Sequence, residues 1–228
     1  MKVAFEKFKN FVPLYAFAGF CCLVFNLIVY NGNRLLTNGW THYDLSLPID
    51  GMIPFLTWTV VFYVLFFPFL GIGFLVVAKE GKAMYYRMLT GELIAKTICL
   101  AFFLALPTEM PDWPSGTFEI RNFFDWLMQF IYDHDQPNDL FPSIHCLESW
   151  LLMHKCLQCK KPNAAFKISF SVVAVCIMVS TLTTKQHLFV DILGGIAAAE
   201  IGQLVSRTVK GEKLFFRLEQ LFRKRIPE

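Results

Sequence analysis

Residues 143–158 read Ser-Ile-His-Cys-Leu-Glu-Ser-Trp-Leu-Leu-Met-His-Lys-Cys-Leu-Gln, and whether this stretch crosses a membrane decides the fold. Taken alone it is ambiguous. It carries His145, Glu148, His154 and Lys155 among its apolar residues, and ionisable groups are costly inside a bilayer. Five other apolar runs are plainer, at 12–30, 53–77, 88–106, 166–184 and 187–206. Most approach the ~20 residues a helix needs to cross the hydrocarbon core. Composition agrees: of 228 residues, 55% are hydrophobic and only 17% are charged, less charge than a soluble domain ordinarily carries. The 25 phenylalanines suit helices that need apolar surface on every side.

Charge in the connecting segments resolves the ambiguity. If 143–158 is a span, the inner segments are the N-terminus, 78–87, 155–167 and 207–228. These hold seventeen basic residues, whereas the outer segments hold Arg34, Arg121 and Lys185, and Lys96 lies inside the third span. Basic residues concentrate on the cytoplasmic side of membrane proteins, and removing the fourth span would break the alternation. The expectation is an all-α polytopic membrane protein: six transmembrane helices in one bundle, a single membrane domain over 1–228, with both termini cytoplasmic. The first run has the length of a span and no small-x-small exit, so it reads as an anchor helix that is retained.

Two segments lie outside the spans. The outer loop 107–142 carries Ile120, Phe123, Phe124, Leu127, Phe130 and Ile131 at helical spacing within 118–132, which predicts a surface helix. It lies either on the membrane or on the top of the bundle. The tail 207–228 is basic and cytoplasmic. Its Leu214, Phe215, Leu218, Leu221 and Phe222 alternate with cations, the pattern of an interfacial helix drawn to anionic lipid.

Some classes are excluded. No soluble segment carries a basic stripe with interleaved aromatics, so nucleic acid is not a partner. Cys156 and Cys159 form a C-x-x-C with no second ligand pair, so no metal is expected there. The seven cysteines are an odd number and fall mostly in apolar runs, which speaks against a disulfide framework.

The ionisable residues at the outer ends of spans four and six carry the chemistry. His187 and Asp191 are four apart, a spacing that sets two side chains on one face of a helix. A carboxylate there fixes the tautomer of the imidazole and leaves its other nitrogen free as a nucleophile. His145 opens another span behind Ser143, a residue type that caps helices, and helix starts favour anions. A phosphate held there would lie between one histidine that attacks and another that protonates the leaving oxygen. Gly194, Gly195 and Ala197 to Ala199 form a small-residue face that lets the last span pack closely. Glu148 is placed to pair with His145 or Lys96, and Glu200, deeper in the bundle, with Lys96.

Phe141-Pro142-Ser143-Ile144-His145 resembles the P-S-G-H motif of the phosphatidic acid phosphatase type 2 superfamily. Ser180-Thr181-Leu182-Thr183-Thr184-Lys185-Gln186-His187-Leu188-Phe189-Val190-Asp191 resembles its S-R-x5-H-x3-D motif, and the form T-K-Q-H-x3-D is similar to the branch that includes relatives of inositol-phosphorylceramide synthases. The resemblance covers nearly the whole chain. It implies a metal-independent lipid phosphatase or phosphotransferase without cofactors, working at the extracytoplasmic face on a lipid phosphate among membrane lipids. By the same resemblance His187 forms a phosphohistidine, Asp191 orients it, His145 protonates the leaving alcohol, and Ser143 with nearby amides holds phosphate oxygens. Ser180 and Thr181 occupy motif positions that contact substrate in the family. The chain departs from the pattern: Ile144 replaces the motif glycine, Thr181 the arginine, and 107–114 is a degenerate form of the first motif, with Asp112 or Trp113 at the arginine place. Lys185 is the candidate replacement for the lost phosphate-clamping charge, with Arg121 from the outer loop behind it. The departures keep a second expectation open, a non-catalytic or transporter-like membrane protein that retains the fold.

Overall fold

The computed structural model describes residues 39–110, 113–135 and 138–225, with positions 15, 18, 19, 22, 24, 32, 33 and 35–37, and side chains as far as 221. The first expected span, 12–30, falls almost wholly outside the described residues.

From residue 39 onward the helices are α1 (Pro48–Met52), α2 (Val60–Glu80, preceded by a 3-10 turn at Thr57–Thr59), α3 (Lys82–Ala105), α4 (Phe123–His134), α5 (Ile144–Gln158), α6 (Ala164–Thr183), α7 (Phe189–Thr208) and α8 (Glu212–Arg225). Two short strands, β1 (Tyr43–Asp44) and β2 (Thr108–Glu109), pair in parallel. The expected inner loop 78–87 is mostly helix, because Gly81 alone separates α2 from α3.

Among the described residues, four helical segments are long and apolar enough to cross a membrane: 57–80, 82–105, 164–183 and 189–208. Their outward faces are greasy. On α6, Ile168, Val172, Val175 and Val179 are 47–64% exposed and follow one another at three- and four-residue steps, which makes a single stripe. Such a stripe is unfavourable in water and at home in hydrocarbon. Pro68 sits inside α2, as prolines do in membrane helices, where neighbouring groups meet the freed carbonyl.

The expected fourth span, 143–158, coincides with α5. α5 has 15 residues, about 22 Å of helix, and is shorter than the four crossing segments. It packs against α2, α3, α6 and α7, and its Cys146, Leu147, Glu148, Ser149, Leu151 and Leu152 are buried. Enclosure by the other helices explains why it tolerates polar residues that a lipid-facing helix would not. Lys96 of α3 sits between Glu92 and Glu148, 2.6 Å from Glu148, and all three are at most 3% exposed. Glu200 does not join them. It accepts from Trp150 Nε1 at 2.7 Å and meets His154 Nδ1 at 2.8 Å.

Close backbone approach sets the crossing of α7 with its neighbours. A methyl group added at Gly202 would collide with the carbonyl oxygen of Gly91 on α3, and one added at Gly195 with the carbonyl oxygen of Ser143. Small residues permit that distance, so the predicted small-residue face has a structural counterpart.

The outer loop helix α4 starts at Phe123, later than 118, because Asn122 caps it by accepting from the amides of Phe124 and Asp125. One face, with Met128 and Tyr132, packs on Val60 of the bundle. The other leaves Phe123, Trp126 and Phe130 45–62% exposed. In the tail, α8 lies against α3 through Lys82–Glu219 at 2.6 Å and Arg87–Glu212 at 2.8 Å, with Leu214, Leu218 and Leu221 facing outward.

Candidate active site

α6 ends at Thr183 because the chain turns through 184–188 before α7 begins. His187 sits in that turn. It is not on the helix with Asp191, as the four-residue spacing suggested. Asp191 is the third residue of α7, and its carboxylate folds back over the helix start. There Oδ2 accepts from the Leu188 amide at 2.8 Å and meets His187 Nδ1 at 3.3 Å. One carboxylate oxygen thus serves both the helix and the imidazole. Asp191 is fully buried and His187 is 9% exposed.

The other imidazole nitrogen of His187, Nε2, faces His145 Nδ1 at 3.4 Å. The two rings come from different helices and stand edge to face, with centroids 5.6 Å apart. His145 is in the first turn of α5, and its ring is packed by Tyr63 at 4.6 Å and Phe66 at 4.4 Å, both from α2. Tyr63 is itself held by Asp135 through its hydroxyl, at 2.8 Å.

Ser143 caps α5: its Oγ accepts from the Cys146 amide at 3.3 Å, and its own amide donates to the Asp191 carbonyl at 3.0 Å. The second bond ties the start of α5 to the start of α7, which is how the two histidines come to share one place. The amides of the first helical turn lack intrahelical acceptors, so the Ser143 end of α5 presents N–H groups beside His145.

The turn carrying His187 is pinned from several sides. Tyr132 of α4 donates to the Thr184 carbonyl at 2.6 Å, and burial pushes its phenol above the ordinary range, so it stays a donor. The Leu56 amide donates to the Thr183 carbonyl at 2.8 Å. Asp50 accepts from the Phe189 amide at 2.7 Å and from the Leu47 amide at 2.8 Å, capping α7 and α1 together. The Thr108 hydroxyl accepts from the amides of Leu140 and Phe141 at 2.9 and 3.0 Å, steadying the approach to Ser143.

The remaining sequence candidates are placed as follows. Lys185 donates to the carbonyls of Asp50 and Ile53 at 2.8 and 2.7 Å. An ammonium has three donors, so one is left. Lys185 and His187 both line a cavity of about 350 Å³ shared with Leu47, Asp50, Met110 and Leu182. The hydroxyls of Ser180 and Thr181 donate to the carbonyls of Ile177 and Met178, each at 2.7 Å, and the Thr181 carbonyl accepts from the His187 amide at 3.0 Å. These two residues brace the turn. Arg121 is not brought to the histidines: it pairs with Glu119 at 2.8 Å and lines a separate cavity beside Asp125. The residues that the motifs did not disclose are Asp50, Tyr63, Phe66, Thr108 and Tyr132. Thr108 and Tyr132 lie in segments the sequence had flagged, but nothing in their spacing points to the turn they support.

Fold and site together define a helical membrane protein with a buried His–His–Asp arrangement at one end of its bundle. A family model described as the PAP2 superfamily matches residues 42–205, and the chain belongs to that superfamily, the phosphatidic acid phosphatases of type 2. Membership supports a phosphatase-type function on lipid phosphates in general. No curated protein and no solved structure matches the chain.

Proposed function

We propose that the protein is a metal-independent lipid phosphatase or phosphotransferase that works through a phosphohistidine on His187. The observation that carries this reading is the contact of His187 Nε2 with His145 Nδ1 at 3.4 Å while Asp191 takes Nδ1. With Nδ1–H donated to the carboxylate, Nε2 holds a free lone pair, and the proton between the rings belongs to His145. That readies His187 to attack; His145 acts as the acid once its other ring nitrogen has taken a second proton, brought in by the substrate's monoanion, so that it is an imidazolium beside the phosphate. The phosphoryl group of a lipid phosphate enters by parting the two rings. Nε2 attacks phosphorus, the P–O bond to the alcohol breaks, and His145 gives its proton to the departing oxygen. Water or an acceptor alcohol then loses a proton to His145 and attacks phosphorus, breaking the P–N bond and restoring His187.

Lys185, with one donor remaining, and the first-turn amides of α5 meet the phosphate oxygens. They stand in for the arginines that the family uses, and a lysine is a point charge without the bidentate fork. The basic residues of the chain cluster toward the other end of the bundle, which supports a site on the extracytoplasmic side of one six-span membrane domain with both termini inside.

Brief incubation of the purified protein with lipid phosphates carrying labelled phosphorus, followed by alkaline denaturation, tests the reading. An acid-labile, alkali-stable label on the wild type that is absent from His187→Ala supports it. Equal turnover in the two proteins refutes it.

A further inference from the structure

The end of the bundle opposite the histidines holds a second concentration of charge. The last turns of α5 and α7 and the first turns of α3 enclose a cavity of about 380 Å³ lined by Ala83, Met84, Arg87, Lys155, Gln158 and Arg207. Lys155 is 3% exposed. Among the described residues no hydrogen bond or ion pair reaches its ammonium group, and the same is true of the Arg207 guanidinium. Arg87 commits Nε to Glu212 at 2.8 Å. Glu200, a further carboxylate on α7, is occupied by Trp150 and His154.

Cations are favourable at helix C-termini, which accounts for Lys155 and Arg207 being in last turns. It does not account for the ammonium of a residue only 3% exposed that has no hydrogen-bond partner among the described residues and shares one cavity with two guanidinium groups. Burial of an unpaired charge is strongly unfavourable, and like charges around one cavity add to the cost. A polyvalent oxyanion relieves both. Guanidinium groups bind such anions through paired N–H donors, and an ammonium adds a point charge.

We propose that Arg87, Lys155 and Arg207 form a second anion site that takes a phosphate group, roughly 15 Å along α5 from His145. The group is that of a phospholipid head or of a soluble phosphate, since both present the same oxygens. The site is separate from the reaction attributed to His187 and does not depend on it.

The test uses the full-length protein in neutral detergent and in nanodiscs. Thermal unfolding with inorganic phosphate probes the soluble source. Native mass spectrometry of protein released from nanodiscs of phosphatidylglycerol or of phosphatidylcholine probes the lipid source. Binding raises the unfolding temperature of the folded state by mass action. Arg207→Gln, an exposed position that leaves the packing intact, should weaken binding at this site by roughly tenfold or more, Lys155→Met should remove it and leave only the response of the histidine site, and His187→Ala should leave it undiminished. A response to inorganic phosphate identifies a soluble ligand; retention of phosphatidylglycerol alone identifies a lipid head. No response to either, undiminished binding in Arg207→Gln, or equal loss in His187→Ala overturns the proposal.

Discussion

The carboxylate of Asp50 accepts a 2.7 Å hydrogen bond from the amide of Phe189, the first residue of α7 and two positions beyond His187. A residue of α1, the short helix ahead of α2, thereby caps the helix that carries Asp191. Removing such a cap costs about 1 kcal/mol. Asp50→Ala should lower turnover more than it lowers melting temperature, because the His187 turn loses its anchor while the bundle keeps its core. Asp50→Asn, which keeps an acceptor, should recover most of the activity. Kinetic assays beside thermal unfolding of the three proteins check this.

Gly195 faces the Ser143 carbonyl with no room for a side chain. In Gly195→Val the start of α5 must move away from α7, carrying the Ser143 cap and His145 with it. Turnover should fall by about a hundredfold or more, as expected for misplacement of a catalytic group by about an ångström. Gly71→Val, at a glycine with open space around it, is the matched control and should be nearly silent in the same assay.

Lys96 is enclosed by two carboxylates, Glu92 and Glu148, all of them buried. Lys96→Met removes the cation and leaves two acids facing each other in a low-dielectric core. Breaking a buried ion pair from one side costs roughly 3–5 kcal/mol, so this variant should be poorly folded. Glu148→Gln leaves one lysine with one carboxylate and should cost much less. Melting temperatures in detergent should rank wild type and Glu148→Gln together, well above Lys96→Met.

Asp125 anchors α4 to the bundle by accepting from the Thr57 hydroxyl at 2.6 Å and the Arg121 amide at 3.0 Å. The Thr57 bond, aided by the Arg121 amide, holds its carboxyl below the usual range. A depressed carboxyl favours the folded loop above its unfolded value of about 3.9, and that contribution disappears as pH falls through the depressed value. Protease sensitivity of the 107–142 loop should therefore rise on acidification in the wild type. In Asp125→Asn it should be higher at neutral pH and change little with acid.

Much of the site was legible because its chemistry is local in sequence. His187 and Asp191 are four residues apart, Ser143 and His145 two, and charge in the loops brought the pairs to one side. The local geometry was less legible: four-residue spacing implies one helical face, yet α7 starts after His187, and the contact forms because an acidic third residue caps back over the helix start. Ser180 and Thr181 hold motif positions, but their hydroxyls are drawn to carbonyls one turn back, where a buried hydroxyl finds its nearest acceptor.

By itself the sequence determined the helical membrane class, because apolar runs of span length and lopsided loop charge answer to the bilayer, whose demands are one-dimensional along the chain. It pointed to His145, His187 and Asp191 for a similar reason, since few ionisable groups are tolerated at the ends of apolar spans. Only the tertiary structure decided that α5 is an enclosed helix of 15 residues, that Lys185 is half spent on Asp50 and Ile53, and that Asp50, Tyr63 and Tyr132 hold the histidines in place. Those are contacts between segments far apart in the chain, and no spacing rule reaches across them. Packing alone chooses which groups meet.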